Sequence, residues 1–277
     1  MIHLNSFGPE VETWQNFLVG QGLFHGHVGG LFDKATQNAT ISFQRLQNVL
    51  TDGKVGDETY GVAKRLGFIT EANDDDSRTG PNWPPRPESL CRLTDDNARQ
   101  AIFGKFQYEP AGIKNDPEAI VITDTWERDN IISIAIPQLG GIRGSGSAKI
   151  QFHKKAVDQL LALFKAWEDA DLIPLILSWG GSYAPRFIRG SRVRLSNHAY
   201  ASAFDINVAW NYMGTRPALV GCQGSVRELV PIANELGFFW GGHYGFNKTG
   251  QQTGGRPDGM HFEIAKIIDV SDPYLFR

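Results

Sequence analysis

The segment Leu195-Ser196-Asn197-His198-Ala199-Tyr200-Ala201-Ser202-Ala203-Phe204-Asp205-Ile206-Asn207 decides how the larger part of this chain is read. His198 follows two small polar residues, as it would in a loop, and Asp205 comes seven positions later in a short alternating run. From Ala203 onward, Ala203, Asp205 and Asn207 share one face of a strand, and Phe204, Ile206 and Val208 the other. Burying the apolar face turns the carboxylate toward a cavity, where it is costly unless paired or bound to a metal. Near the C-terminus, Asp258-Gly259-Met260-His261-Phe262-Glu263-Ile264 shows the same alternation, with His261 and Glu263 set between Met260, Phe262 and Ile264. Gly259 is read as permitting a tight turn that aims Asp258 and His261 at one ion. Two histidines and a carboxylate, with a spare acid beside the last histidine, suit a catalytic zinc site of three protein ligands and one open position.

The 277 residues allow two domains or one large one. A composition 41% hydrophobic and 21% charged is that of a globular chain with a sizeable core. The formal net charge of −3 supplies no basic field, so nucleic acid is not the expected partner. Cys91 and Cys222 are too far apart for a CxxC pair or a disulfide framework, and they leave the redox compartment open. Met1-Ile2-His3-Leu4-Asn5 lacks the basic start and apolar core of a signal peptide, and no apolar run is long enough to span a bilayer.

In the N-terminal part, Val11, Trp14, Phe17 and Leu18 have helical spacing, closed by Gly20 and Gly22. Further helices are expected from Lys34 to about Leu46 and from about Asp57 to Leu66. Between them a motif occurs twice: Gly30-Leu31-Phe32-Asp33-Lys34-Ala35-Thr36 and Gly53-Lys54-Val55-Gly56-Asp57-Glu58-Thr59. Each copy is a glycine turn, an apolar plug and a residue suited to starting a helix. With Val11, Trp14-Gln15, Leu18, Gly22, Phe43-Gln44 and Asp52-Gly53, the stretch from about Gly8 to Phe68 resembles the three-helix peptidoglycan-binding domain of cell-wall hydrolases. Gly29 departs from the pattern, which often has Asp before the turn glycine. His25-Gly26-His27 falls in the variable turn and is read as an exposed loop.

Asn73-Asp74-Asp75-Asp76 through Trp83-Pro84-Pro85-Arg86-Pro87 is acidic and then proline-rich, which favours an extended connector. The expected division is therefore a binding domain over 1–70, a linker over 71–87 and a second domain over 88–277. In the second domain, strands are expected at Ile131–Ile136 and Leu175–Trp179, and helices at Phe152–Ala170 and Val226–Leu236, the last stopped by Gly237. Helices and strands mix without regular alternation, which indicates an α+β domain; a small, mainly antiparallel sheet is expected beside the all-α N-terminal unit.

Ser196-x-His198, Ala203-x-Asp205 and Asp258-x-x-His261 resemble the zinc D-alanyl-D-alanine carboxypeptidase and L-alanyl-D-glutamate endopeptidase family, over about Glu88 to Arg277. The resemblance implies that His198, Asp205 and His261 bind Zn2+ and that Asp258 is the general base. It also implies an arginine near the scissile carbonyl, ahead of the histidine loop. Arg186 is preferred because it lies closer to the strand end, with Arg189 a substrate contact. Ser196 is a loop organiser at the substrate side rather than a nucleophile, since no histidine–acid relay is assignable to it. His243 is placed at the cleft. Two departures stand out: Ala201 where the family usually has glycine, and aspartate at 258 where many relatives carry glutamate.

The implied protein is a monomeric, zinc-dependent peptidoglycan hydrolase that cuts a stem-peptide bond of the bacterial wall. It would reach the wall by holin-type lysis or a dedicated secretion system. The rivals are a non-catalytic wall-binding protein and a zinc N-acetylmuramoyl-L-alanine amidase.

Overall fold

The computed structural model describes residues 1–66, 68, 83–114, 116–247 and 253–271. In the N-terminal unit, α1 (Pro9–Gly20), α2 (Lys34–Leu46) and α3 (Asp57–Arg65) close on a core that includes Val11, Trp14, Leu18, Phe43 and Val62. The Trp14 indole donates to Thr40 Oγ1 at 2.9 Å, so its one polar atom is satisfied in the core.

The duplicated motif has a physical cause. Gln15 Nε2 donates to the Leu31 carbonyl at 2.9 Å, and its Oε1 accepts from the Gly30 amide at 3.0 Å. Gln44 treats the second copy alike, donating to the Lys54 carbonyl at 2.7 Å and accepting from the Gly53 amide at 2.9 Å. A buried amide thus pins each glycine turn, whose φ values of 71° at Gly30 and 69° at Gly53 are costly for other residues. Phe32 and Val55 plug the core below the turns. The copies part at the helix start. Asp33 caps α2 through the Thr36 amide, whereas Gly56 stands at the cap of α3 and leaves Asp57 to pair elsewhere.

The larger unit opens with α4 (Asp96–Phe103), the antiparallel pair β1 (Tyr108–Pro110) and β2 (Ile120–Ile122), and α5 (Trp126–Asn130). A second antiparallel pair, β3 (Ile131–Ala135) and β4 (Lys149–His153), leads into α6 (Val157–Asp169). There follow β5 (Trp179–Gly181), β6 (Ala203–Ile206), α7 (Val208–Asn211), α8 (Val230–Glu235), β7 (Phe238–Trp240) and β8 (His261–Ile264). These four strands form one antiparallel sheet in the order β5-β6-β8-β7, and the architecture is α+β. α6 packs Leu160, Leu163, Phe164 and Trp167 against the sheet, on which the rings of Phe204 and Phe262 stack with centroids 5.5 Å apart. No described helix is long and apolar enough to cross a membrane.

Several local expectations need correction. The helix expected from Phe152 starts at Val157, because Phe152 is consumed by β4, where it pairs with Ile132. Leu175–Ser178 is not strand: Pro174 starts a 3-10 turn, and the Asn207 side chain takes the amides of Leu177 and Ser178 at 2.7 and 3.1 Å. Those amides cannot then serve a ladder. For the same reason Asn207 does not share the face of Asp205; with φ 52° it leaves the strand and turns into the core. Of the expected linker, 71–82 lies outside the described residues. At its end Trp83 is buried, 5.2 Å from the Trp240 ring and under the Arg227 guanidinium, so this end is packed.

His153, at the end of β4, sets a pH limit on stability. Its Nε2 donates to the Phe103 carbonyl at 3.1 Å, and its Nδ1 accepts from the Lys155 amide at 3.2 Å, which requires the neutral ring. Burial, with the charges of Lys155 and Lys154, lowers its pKa to about 4. Between pH 6.5 and 4 the unfolded chain takes up a proton that the folded one refuses. Stability present above pH 6.5 is therefore lost as pH falls, by about 2 kcal/mol at pH 5. The drop in thermal midpoint from pH 7 to pH 5 should shrink in His153→Gln; an equal drop in the variant would refute the assignment.

Candidate metal and catalytic site

Strand register brings the site together. Asp205 on β6 stands directly opposite His261 on β8, so their side chains leave the same face of the sheet. Phe204, Ile206, Phe262 and Ile264 fill the other face and anchor it in the core. His198 arrives on the 3-10 turn Asn197–Tyr200, which Ser196 starts by accepting from the His198 amide at 3.3 Å. The turn ends at Ala201 in the left-handed region, φ 47°, fully buried. Glycine would adopt this strained position without cost.

The three side chains converge. His198 Nε2 lies 3.1 Å from His261 Nδ1 and 3.3 Å from Asp205 Oδ2, and His261 Nδ1 lies 2.9 Å from Asp205 Oδ1. All three ligand atoms fall within 4.8 Å of one another. The remaining ring nitrogens are committed elsewhere: His198 Nδ1 to the Ser182 carbonyl at 2.9 Å, and His261 Nε2 to Glu263 Oε2 at 3.3 Å. Donating outward in this way leaves both inner nitrogens with lone pairs facing one point beside a carboxylate, which is the donor arrangement of a divalent metal site. Burial works against charge on Asp205, yet the two histidines hold its carboxyl well below the usual range.

Asp258 closes the same cleft. A turn in which its carbonyl accepts from the His261 amide at 3.1 Å precedes β8. Its Oδ1 is buried without a hydrogen-bond partner among the described residues. Burial raises the carboxyl far above the usual range; His261 and Arg186 oppose the shift, while Asp205 and Glu263 add to it. Gly259 is needed here for space rather than for an unusual turn, since a Cβ would stand 2.7 Å from Pro217 Cγ.

Arg186 and Arg189 both line the cleft with His198 and Asp205, in a cavity of about 340 Å³ that Tyr183 and Tyr212 also bound. A connecting lobe is rich in arginine, lined by Arg92, Arg99, Arg194 and Arg256 together with Asp258 and Glu263. Ser196 borders this lobe. His243 sits elsewhere, buried against Trp240, Phe239 and Trp83 at ring distances of 5.2 to 6.1 Å.

The support behind His261 is not legible in the sequence. Glu263 is fully buried; its Oε2 accepts from Asn197 Nδ2, and Asn197 Oδ1 accepts from the buried Arg99, which pairs with Asp96 at 3.0 Å. Arg92 lies 3.9 Å from Glu263 Oε1. The position of Glu263 two residues after His261 hinted at this, but nothing in the local pattern links Arg99 to residues so distant in the chain. Glu263→Gln keeps the shape and removes the charge that strengthens His261 as a donor. Titration of the metal-free variant should show affinity weakened by roughly 10-fold or more; unchanged affinity would rule the support role out.

Residues 7–62 match the family model of a peptidoglycan binding domain, and residues 189–264 that of D-alanyl-D-alanine carboxypeptidase. The two matches together are those of a modular peptidoglycan hydrolase. The chain carries an N-terminal peptidoglycan-binding domain and a C-terminal domain of the D-alanyl-D-alanine carboxypeptidase kind, and it is a peptidase acting on peptidoglycan of the cell wall. No curated protein and no solved structure matches the chain.

Proposed function

We propose that the chain is a zinc-dependent peptidase that cleaves a peptide bond in the stem peptide or cross-link, with residues 1–70 binding the wall and 88–277 carrying the chemistry. The observation that carries this reading is the convergence of His198, Asp205 and His261 beside Asp258, whose buried Oδ1 has no hydrogen-bond partner among the described residues. His198 through Nε2, His261 through Nδ1 and the Asp205 carboxylate would hold the ion. Zinc bound there supplies Lewis acidity, polarising the carbonyl and lowering the pKa of a water.

The residues of the chain do the rest. Asp258 accepts the proton of the attacking water as its oxygen adds to the carbonyl carbon, and later delivers that proton to the amine as the C–N bond breaks. A carboxyl raised by burial suits both halves of that exchange. Arg186, held half-buried at the cleft wall, offers a cation to the developing oxyanion. Arg189 and the arginine-rich lobe favour a substrate rich in carboxylates, as a stem peptide is.

The test is digestion of purified sacculi with zinc-loaded protein, followed by mass spectrometry of the released fragments. New amino and carboxyl ends within stem peptides are expected. Release of intact stem peptides from the sugar would make the enzyme an amidase, and sedimentation with the wall without any release would make it a binding protein.

A further inference from the structure

The N-terminal unit reaches into the catalytic cleft. Gly61 of α3 lies so close to α7 that a Cβ there would stand 2.1 Å from Tyr212 Cδ2, so α3 can dock only where it has no side chain. Tyr212 and Ala209 are buried as part of the N-terminal core, and Arg65 lies over the Tyr212 ring at 5.2 Å. Asp57, left free by the glycine cap of α3, pairs with Arg143 of the larger unit at 2.6 Å. These contacts fix α3 in rotation and position. They deliver its next residue, Glu58, to the wall of the cavity that Arg186, Arg189, His198 and Asp205 line. Glu58 is half-buried there, opposite in sign to the arginines of the same cavity.

We propose that Glu58, although it belongs to the wall-binding domain, is a specificity residue of the catalytic cleft that receives a substrate ammonium. A cavity with guanidinium groups and, beyond the Asp205 of the candidate metal cluster, a second carboxylate at Glu58 fits a peptide carrying both a carboxylate and a free amine. A stem peptide whose diamino acid keeps its side-chain amine uncross-linked is such a ligand; the same peptide with that amine acylated, as in a cross-link, is not. The inference rests on the peptidase reading above, and it makes bond choice a property of both domains together.

Full-length wild type and Glu58→Gln are compared on two soluble stem peptides that differ only in whether the side-chain amine is free or acetylated. Wild type should favour the free amine on the order of tenfold in kcat/KM, chiefly through KM. In Glu58→Gln that preference should vanish, through a raised KM for the free-amine peptide, with the thermal midpoint unchanged. A preference that survives in the variant, or none in the wild type, would overturn the proposal. Failure of the wild type to cut either peptide would instead overturn the peptidase reading itself.

Discussion

Asp258→Asn should cleave wall peptides at least about 10²–10⁴-fold more slowly than wild type while binding zinc equally well. The substitution preserves volume and the turn, whose defining hydrogen bond uses the Asp258 backbone carbonyl and not its side chain. It removes the basic carboxylate oxygen that stands buried, without a hydrogen-bond partner among the described residues, beside the candidate metal cluster. Because His198, Asp205 and His261 make up the cluster without it, metal content and catalysis should separate in this variant. Asp258→Glu should keep measurable activity, since it retains the acid. Near-normal hydrolysis by the Asn variant would transfer the base role elsewhere. Loss of zinc would make Asp258 a ligand.

Removing a ligand should have the opposite signature. His198→Ala and His261→Ala are each expected to purify without stoichiometric zinc and to lose activity by about 10⁴-fold or more. The ion that would lower the pKa of the water from about 15.7 toward neutrality would be absent. Asp205 would also lose one of the two histidines that stabilise its buried charge, so a lower thermal midpoint should accompany the loss. Elemental analysis gives the decisive reading: full zinc occupancy in either variant would show that the ligands had been misassigned.

Local pattern carried much of this protein. The helices of the N-terminal unit follow from apolar spacing and the paired glycine motifs, because short-range periodicity and turn chemistry are written in neighbouring residues. The side chains that converge at the candidate metal site were legible for a similar reason. Alternation at Ala203–Ile206 and His261–Ile264 dictates which side chains share a face of a strand, whatever the strand pairs with. Where tertiary contacts outweighed local preference, the pattern misled. Phe152 joined a strand ahead of the helix that its spacing predicts, and Asn207 left its strand to satisfy backbone amides across a turn.

What only the folded chain decided depends on contacts between residues far apart in sequence. Register in the sheet set Asp205 against His261. Packing at Gly61 placed Glu58 in the cleft, and the Arg99–Asn197–Glu263 chain formed behind His261. A sequence prescribes the faces of its strands and helices through bond geometry acting over a few residues. Which faces meet is decided by burying apolar surface across the whole molecule, and the side chains that support a reacting group are chosen by that meeting.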